Sequence, residues 1–269
     1  MPRVSGHRSR WSLAPILWVP AGLALGLLLL PLVALVVRAP WAQLPGLLSR
    51  SEVAQALILS LTTAAISTAV SLVLGIPLAL VLARSADWPA VPRRLLRALI
   101  TVPLVLPPVV GGVALLLLLG RRGLIGQYLP FGIPFTSTAV VIAQTFVAMP
   151  FLVLAVEGAL RASDRRFEVA AATLGASRFT VFRRVTLPLV APGVSAGAVL
   201  CFTRALGEFG ATITFAGSFP GVTQTLPIAT YLQLQTDPDA AIALSLVLMI
   251  VSVAVLVTLR DRWVPGLTS

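Results

Sequence analysis

Six apolar stretches, each long enough to cross a lipid bilayer as a helix, constrain the fold of this chain more than any other feature. The hydrocarbon core of a bilayer, roughly 30 Å thick, needs about 20 apolar helical residues. The stretches cover residues 15–37, 53–83, 99–119, 137–160, 189–216 and 240–259. Only 11% of the 269 residues are charged, whereas a soluble domain carries about 25%. We therefore predict an all-α membrane protein with six transmembrane helices.

The first stretch follows three arginines and superficially resembles the start of a signal peptide. Its apolar run is longer than the core of a cleavable signal, and no A-x-A cleavage pattern closes it. We expect it to be retained as the first transmembrane helix.

The distribution of arginine between the loops predicts the orientation. All twenty basic residues are arginine, and cytoplasmic loops carry an excess of positive charge. With a cytoplasmic N-terminus, the cytoplasmic side holds Arg3, Arg8, Arg10, Arg84, Arg93, Arg94, Arg97, Arg161, Arg165, Arg166, Arg178, Arg183, Arg184, Arg260 and Arg262. The opposite side holds only Arg38, Arg50, Arg121 and Arg122. Both termini are therefore expected in the cytoplasm of a multi-pass protein of the cell membrane.

Several classes of function are disfavoured by the residues that the chain lacks. Without lysine there is no phosphate-binding GxxxxGK[ST] loop, and no GxSxG, HExxH or GxGxxG pattern occurs. One cysteine, Cys201, and one histidine, His7, offer no metal-ligand set. The net charge of +11 is carried by arginines between apolar stretches rather than by one polar face, which argues against nucleic acid as a partner. We expect no enzyme activity, cofactor or metal.

A polar segment with an ordered plan, EVAAATLGASRFTVFRRVTLP at 168–188, separates the fourth and fifth stretches. Ser163 is expected to cap a helix, and Asp164 to lie in its first turn, where a negative charge suits the helix dipole. Gly175 can end this helix in a left-handed conformation. Ser177 then starts a second short helix, and Pro188 marks the turn into the fifth stretch. Composition alone also fits an amphipathic connector that rests on lipid headgroups, but the plan of the segment favours docking to a soluble partner.

Two opposite charges lie within the fifth stretch, where ionisable groups are costly and normally face a partner or a wet pathway. Arg204 and Glu208 are four residues apart and hence on one helix face. They either form a pair that fixes packing or border a translocation route. Small and hydroxyl residues surround the pair and complete a candidate pathway, namely Thr203, Gly207, Gly210, Thr212 and Thr214. Near the end of the fourth stretch, Glu157 is expected to pair with Arg161.

The polar segment resembles the EAA loop of binding-protein-dependent ABC importer permeases. The matching residues are Glu168, Ala170, Ala171, Gly175, Val185, Leu187 and Pro188. Further similarity lies in LPPVVGG at 106–112, GRRGLIG at 120–126, ALGEFGATITFAG at 205–217 and FPGVTQTLPIATY at 219–231. Together these motifs are similar to the permease subunits of molybdate/tungstate ABC importers, with sulfate/thiosulfate permeases as the nearest alternative.

This resemblance implies a type I ABC importer permease fold and a set of partners. The partners would be a second permease copy, two ABC ATPase subunits on the cytoplasmic loops, an extracytoplasmic molybdate-binding protein and membrane lipid. The chain would divide into a cytoplasmic tail (1–14), a first helix with its outer loop (15–50), the permease domain (51–262) and a cytoplasmic tail (263–269). The loop at 161–188 would couple the permease to the ATPase. A secondary transporter or channel is the less favoured alternative, since Glu208 is the only clear acid in the middle of a stretch.

Overall fold

The computed structural model describes residues 17–164 and 166–260 of the chain. In the described part the regular elements are helical. The α-helices are α1 Trp18–Val37, α2 Leu44–Leu48, α3 Ser51–Arg84, α4 Ala90–Val105, α5 Pro108–Leu119, α6 Ser137–Ala162, α7 Arg166–Thr173, α8 Arg178–Val181, α9 Leu187–Leu206, α10 Gly210–Ala216, α11 Leu226–Thr236 and α12 Pro238–Arg260. Short 3₁₀ turns occupy Ser85–Asp87 and Gly126–Tyr128, and a π turn occupies Phe182–Thr186. The predicted tails, 1–14 and 263–269, lie outside the described residues.

The predicted spans correspond to five long apolar helical segments and one bent pair. The bent pair is α4 and α5, between which the chain bends by 113°. The expectation of a third span over 99–119 was wrong in its start, because helical structure begins at Ala90 and breaks between Val105 and Pro108. Consecutive prolines at the break remove backbone donors and force Leu106 and Pro107 into extended conformations.

The core of the bundle lies where α3, α6 and α9 pack together. On α3 the buried face carries small residues at helical spacing, including Ser60, Ala64, Ser67 and Ser71. Small residues let helix backbones approach closely, which favours association in a membrane. Similarly, Gly193 and Gly197 of α9 lie against alanine side chains of α6, Ala159 and Ala155. The three helices thereby form a close-packed support for the segments that flank them.

The fifth predicted span, 189–216, is interrupted in the structure. Helix α9 ends at Leu206, and α10 begins only at Gly210. After α10 the chain forms a loop and then the helix α11, which sequence patterns did not indicate. The first turn of α11 is held against α3, where the hydroxyl of Ser60 accepts a hydrogen bond of 2.7 Å from the backbone N–H of Leu226.

Candidate functional site

Gly175 separates two helices of the polar segment through a left-handed backbone. Its φ is +85°, in the region that side chains make unfavourable. The N–H of Ala176 donates to the carbonyl of Ala171, and the N–H of Gly175 donates to that of Ala172. These two bonds form a Schellman motif, which satisfies the last carbonyls of α7. The predicted conformation of Gly175 is confirmed.

The start of α7 is fixed by a different residue from the one expected. The carboxylate of Asp164 accepts a hydrogen bond of 2.9 Å from the backbone N–H of Arg166. The hydroxyl of Ser163 instead donates to the carbonyl of Leu160 and so belongs to the end of α6. The expectation that Ser163 caps this helix was wrong, because α6 extends further than the apolar pattern.

Glu168 connects the first turn of α7 to the segments on either side of it. One carboxylate oxygen accepts a hydrogen bond of 2.6 Å from the hydroxyl of Thr186, which is buried. The other oxygen lies 3.9 Å from the guanidinium of Arg84, at the end of α3. A hydrogen bond to a charged group is among the stronger polar contacts in a protein. The first turn of α7 is thus tied to α3 and to the start of the following helix.

The second helix of the segment runs without interruption into the membrane. Residues from Arg178 to Leu206 form one helical rod of 29 residues. A π turn at Phe182–Thr186 lies directly before Leu187 and Pro188, which occupy the first turn of α9. The expectation that Pro188 marks a turn was therefore wrong. The π turn lets the helix continue through Pro188, whose backbone nitrogen cannot donate a hydrogen bond.

The tip of the segment presents apolar side chains to its surroundings. Leu174 is 88% exposed and Phe179 is 70% exposed, and both flank Gly175. The other residues of the predicted motif lie around them: Ala170 and Pro188 are exposed, and Ala171, Val185 and Leu187 are half-buried. Large exposed apolar groups beside charged ones are typical of a surface that binds a partner.

The second candidate site lies at the break between α9 and α10. Glu208 is 1% exposed, and one of its carboxylate oxygens accepts a hydrogen bond of 2.8 Å from the backbone N–H of Ala211, at the start of α10. The other oxygen lies 2.7 Å from the guanidinium of Arg204, as an ion pair without hydrogen-bond alignment. The predicted pairing is confirmed. However, Glu208 lies beyond the end of α9 and caps the next helix.

A cavity of about 310 Å³ adjoins this break. Four of the seven predicted pathway residues line it: Arg204, Gly207, Glu208 and Gly210. The predicted threonines do not. The hydroxyls of Thr203 and Thr214 donate to helix carbonyls, and Thr212 is fully buried without a hydrogen-bond partner. Since a hydroxyl has one hydrogen to donate, Thr203 and Thr214 have none left for an anion.

The cavity also involves Pro108 and Val109, which the sequence interpretation did not include. They start α5, and they pack so closely on α10 that a Cβ atom at Gly210 would lie 2.9 Å from Pro108. A Cβ atom at Gly112 would lie 2.7 Å from the side chain of Thr214. The two broken spans therefore meet at their breaks. The LPPVVGG motif is the signal that could have identified this contact.

A third charged cluster lies between α4 and α6. Glu157 is buried and accepts a hydrogen bond of 2.7 Å from Arg161, as expected. Arg97 of α4 contacts the same carboxylate oxygen, a partner that sequence spacing within one helix could not indicate.

Comparison with known proteins gives the family. The profile of the family described as binding-protein-dependent transport system inner membrane component matches residues 75–265. The chain is 53% identical over 224 residues to the molybdenum transport system permease protein ModB of Mycobacterium tuberculosis, covering 82% of this chain and 84% of the relative. It is 46% identical over 186 residues to the protein of the same name from Escherichia coli, covering 68% and 80%. The sulfate transport system permease protein CysT of Salmonella typhimurium is 37% identical over 215 residues, covering 78% and 76%.

Solved structures share the architecture. A bacterial ABC transporter that imports the acidic polysaccharide alginate matches with a TM-score of 0.67 at 15% identity, covering 91% of this chain and 95% of that chain. The methionine ABC transporter MetNI matches with a TM-score of 0.63 at 17% identity, covering 78% and 94%. These likenesses confirm the predicted type I importer permease fold. The chain belongs to the family of binding-protein-dependent transport system inner membrane components, whose members are permease subunits and not enzymes.

Proposed function

We propose that this chain is the membrane-spanning subunit of an ATP-driven importer that moves molybdate, or tungstate, across the cell membrane by alternating access. The observation that carries the choice of substrate is the 53% identity with a molybdenum transport permease over most of both chains. The sulfate permease relative reaches only 37% over a similar length.

The polar segment supports coupling to a separate ATPase subunit. Leu174 and Phe179 would enter a groove of that subunit. The hydrogen bond between Glu168 and Thr186 would keep the segment rigid while the ATPase subunit moves it. The continuous helix from Arg178 to Leu206 would then transmit the motion from the loop surface towards the cavity at Arg204. At 1.5 Å per residue its 29 residues span about 44 Å, so one rigid rod joins the loop surface to the cavity at Arg204.

The cavity at the break supports a gate for an oxyanion. Arg204 is 27% exposed there and could attract an anion, while the buried Glu208 holds the guanidinium in place. An anion in transit must be released readily, so weak binding is an advantage. Arg204 provides one positive charge, which it shares with Glu208. Movement of the rod would separate or close the two broken spans, which is a rigid-body transition of the kind that switches transporters.

The proposed assembly has two copies of this chain around one pathway, two ATPase subunits on the loop side and a molybdate-binding protein on the other side. The structures of the alginate transporter include a complex with a periplasmic protein that carries its substrate. For this chain we place the loop and both termini in the cytoplasm, on the basis of the arginine distribution.

Disruption of the gene tests the substrate. The disrupted strain should lose high-affinity molybdate uptake and molybdenum-enzyme activity, and excess external molybdate should restore the enzyme activity. Normal molybdate uptake together with a requirement for reduced sulfur would instead establish the sulfate alternative. Copurification of an ATPase with the tagged chain would separate both importers from a secondary transporter.

A further inference from the structure

We propose that an anionic phospholipid binds this chain between α4 and α6, with its phosphate among four arginines and an acyl chain in an adjoining apolar groove. The site is distinct from the exposed tip of the polar segment and from the cavity at Arg204. It goes beyond the proposed transport function and does not depend on it.

The headgroup end of the site is a cavity of about 280 Å³ lined by Arg93, Arg94, Arg97 and Arg161. A guanidinium nitrogen of Arg93 donates a hydrogen bond of 2.9 Å to the carbonyl of Ala86, which fixes the side chain at the rim. Two carboxylates oppose these charges, Glu157 within the cluster and Asp87 in the adjacent turn. Four positive charges against two negative ones leave an excess of two. Guanidinium groups bind phosphate oxygens through paired hydrogen bonds.

The residues around the arginines are of the kinds found at the level of lipid headgroups. Trp88, two residues before the start of α4, is 44% exposed, and tryptophan is enriched at membrane–water interfaces. Helix α4 also exposes Leu95 and Leu99, which lie between and beyond its arginines. An exposed helix with arginines at one end and leucines along its length is typical of a segment that contacts both headgroups and acyl chains.

The acyl end of the site is an apolar groove of about 340 Å³ between the same two helices. Its lining includes Leu99, Ile100 and Pro103 of α4 and Met149, Pro150 and Val153 of α6. On α4 these residues follow Arg97, and on α6 they precede Glu157 and Arg161. Both helices therefore place most of the groove on the same side of the arginines, within one turn of Arg97 on α4 and about two turns from Arg161 on α6. This order of a charged pocket and then an apolar groove matches the order of groups in a phospholipid.

Charge favours a lipid over a second copy of the chain as the occupant. The chain has nine acidic residues against twenty arginines, so a second copy offers little negative charge for the pocket. An anionic phospholipid supplies both a phosphodiester and an acyl chain. Basic pockets between transmembrane helices bind such headgroups in other membrane proteins.

Native mass spectrometry of the full-length chain tests this site. The protein, with the subunits that copurify, is released from nanodiscs of phosphatidylcholine that contain a minority of phosphatidylglycerol. We expect bound phosphatidylglycerol to be enriched over phosphatidylcholine. Arg93→Gln with Arg94→Gln should weaken its retention about 25-fold, at roughly fivefold per arginine. These two arginines are chosen because Arg97 and Arg161 also satisfy the buried Glu157.

The matched control is Arg121→Gln with Arg122→Gln, an adjacent exposed pair at the far end of α5, which should leave retention unchanged. Leu99→Trp should fill the groove and reduce retention without removing charge. Equal retention in the Arg93/Arg94 variant, or equal binding of phosphatidylcholine, would overturn the proposal. So would displacement of the lipid by inorganic phosphate, which indicates a simple anion site. A change from two copies to one in Leu99→Trp, with lipid retained, would assign the groove to a subunit interface.

Discussion

At Gly175 the backbone is left-handed and the space for a Cβ atom is empty. Substitution there tests conformation alone, because no neighbour would clash. A left-handed conformation costs a non-glycine residue roughly 1–2 kcal/mol, about a tenfold loss in the population of the observed loop. We predict that Gly175→Ala lowers uptake and substrate-stimulated ATPase activity severalfold while membrane abundance is unchanged.

Gly158 is the matched control for this substitution. It also has open space at the Cβ position, but it lies inside α6 with a helical backbone. Alanine is a better helix former than glycine by about 1 kcal/mol, so Gly158→Ala should retain uptake. Equal uptake by the two variants, normalised to the amount of protein in the membrane, would show that the turn at Gly175 does not transmit motion.

Arg204 and Glu208 form a pair whose two members differ in burial. Arg204→Gln leaves the carboxylate of Glu208 buried without its countercharge, a loss of about 3–5 kcal/mol for a pair of this kind. Glu208→Gln keeps a carbonyl for the N–H of Ala211 and leaves Arg204 beside the cavity. We predict a larger fall in thermostability for Arg204→Gln than for Glu208→Gln, measured on the purified protein in detergent. The double variant should be more stable than Arg204→Gln alone, and an equal fall in both single variants would contradict the asymmetry.

The membrane spans could be predicted from sequence because each is signalled by some twenty consecutive residues. The prolines at 107 and 108 signal the break between α4 and α5, but the break between α9 and α10 could not be predicted. Between Gly207 and Phe209 the helix ends because Glu208 turns its carboxylate onto the next helix, and a hydropathy average does not register one such bond. The N-terminal part of α4 was not predicted as part of a span, because its three arginines lower the local hydropathy below that of a span.

The polar segment was predictable in its turn but not in its attachments. A glycine after a helical pattern, such as Gly175, signals the end of the helix, because few other residues tolerate a positive φ. The contacts of Glu168 with Thr186 and of Glu157 with Arg97 join residues 18 and 60 positions apart. Contacts of this kind depend on how the helices pack, which no local sequence pattern specifies. The same holds for α11, which is too short to span a membrane and too mixed in polarity for a clear period.

At the scale of the whole molecule, the charged contacts define two ends of the bundle. Arg84 with Glu168, and Arg97 and Arg161 with Glu157, lie at the end that carries the polar segment. The ion pair of Arg50 with Asp237, at 3.5 Å, joins the start of α3 to the chain after α11 at the opposite end. The positive-inside rule predicts that the first end faces the cytoplasm, and this proposed orientation determines which surface could reach an ATPase.

Cysteine labelling from each side of the membrane tests this orientation. The only cysteine, Cys201, is buried, so Cys201→Ala provides a background without a native thiol. Ala172→Cys and Gln127→Cys each place one thiol at an exposed position, in the polar segment and after α5 respectively. A membrane-impermeant maleimide should label Ala172→Cys in inside-out vesicles and Gln127→Cys in right-side-out vesicles. The opposite result would place the polar segment outside the cell, where no ATP-hydrolysing partner could bind it, and the importer proposal would fail with the orientation.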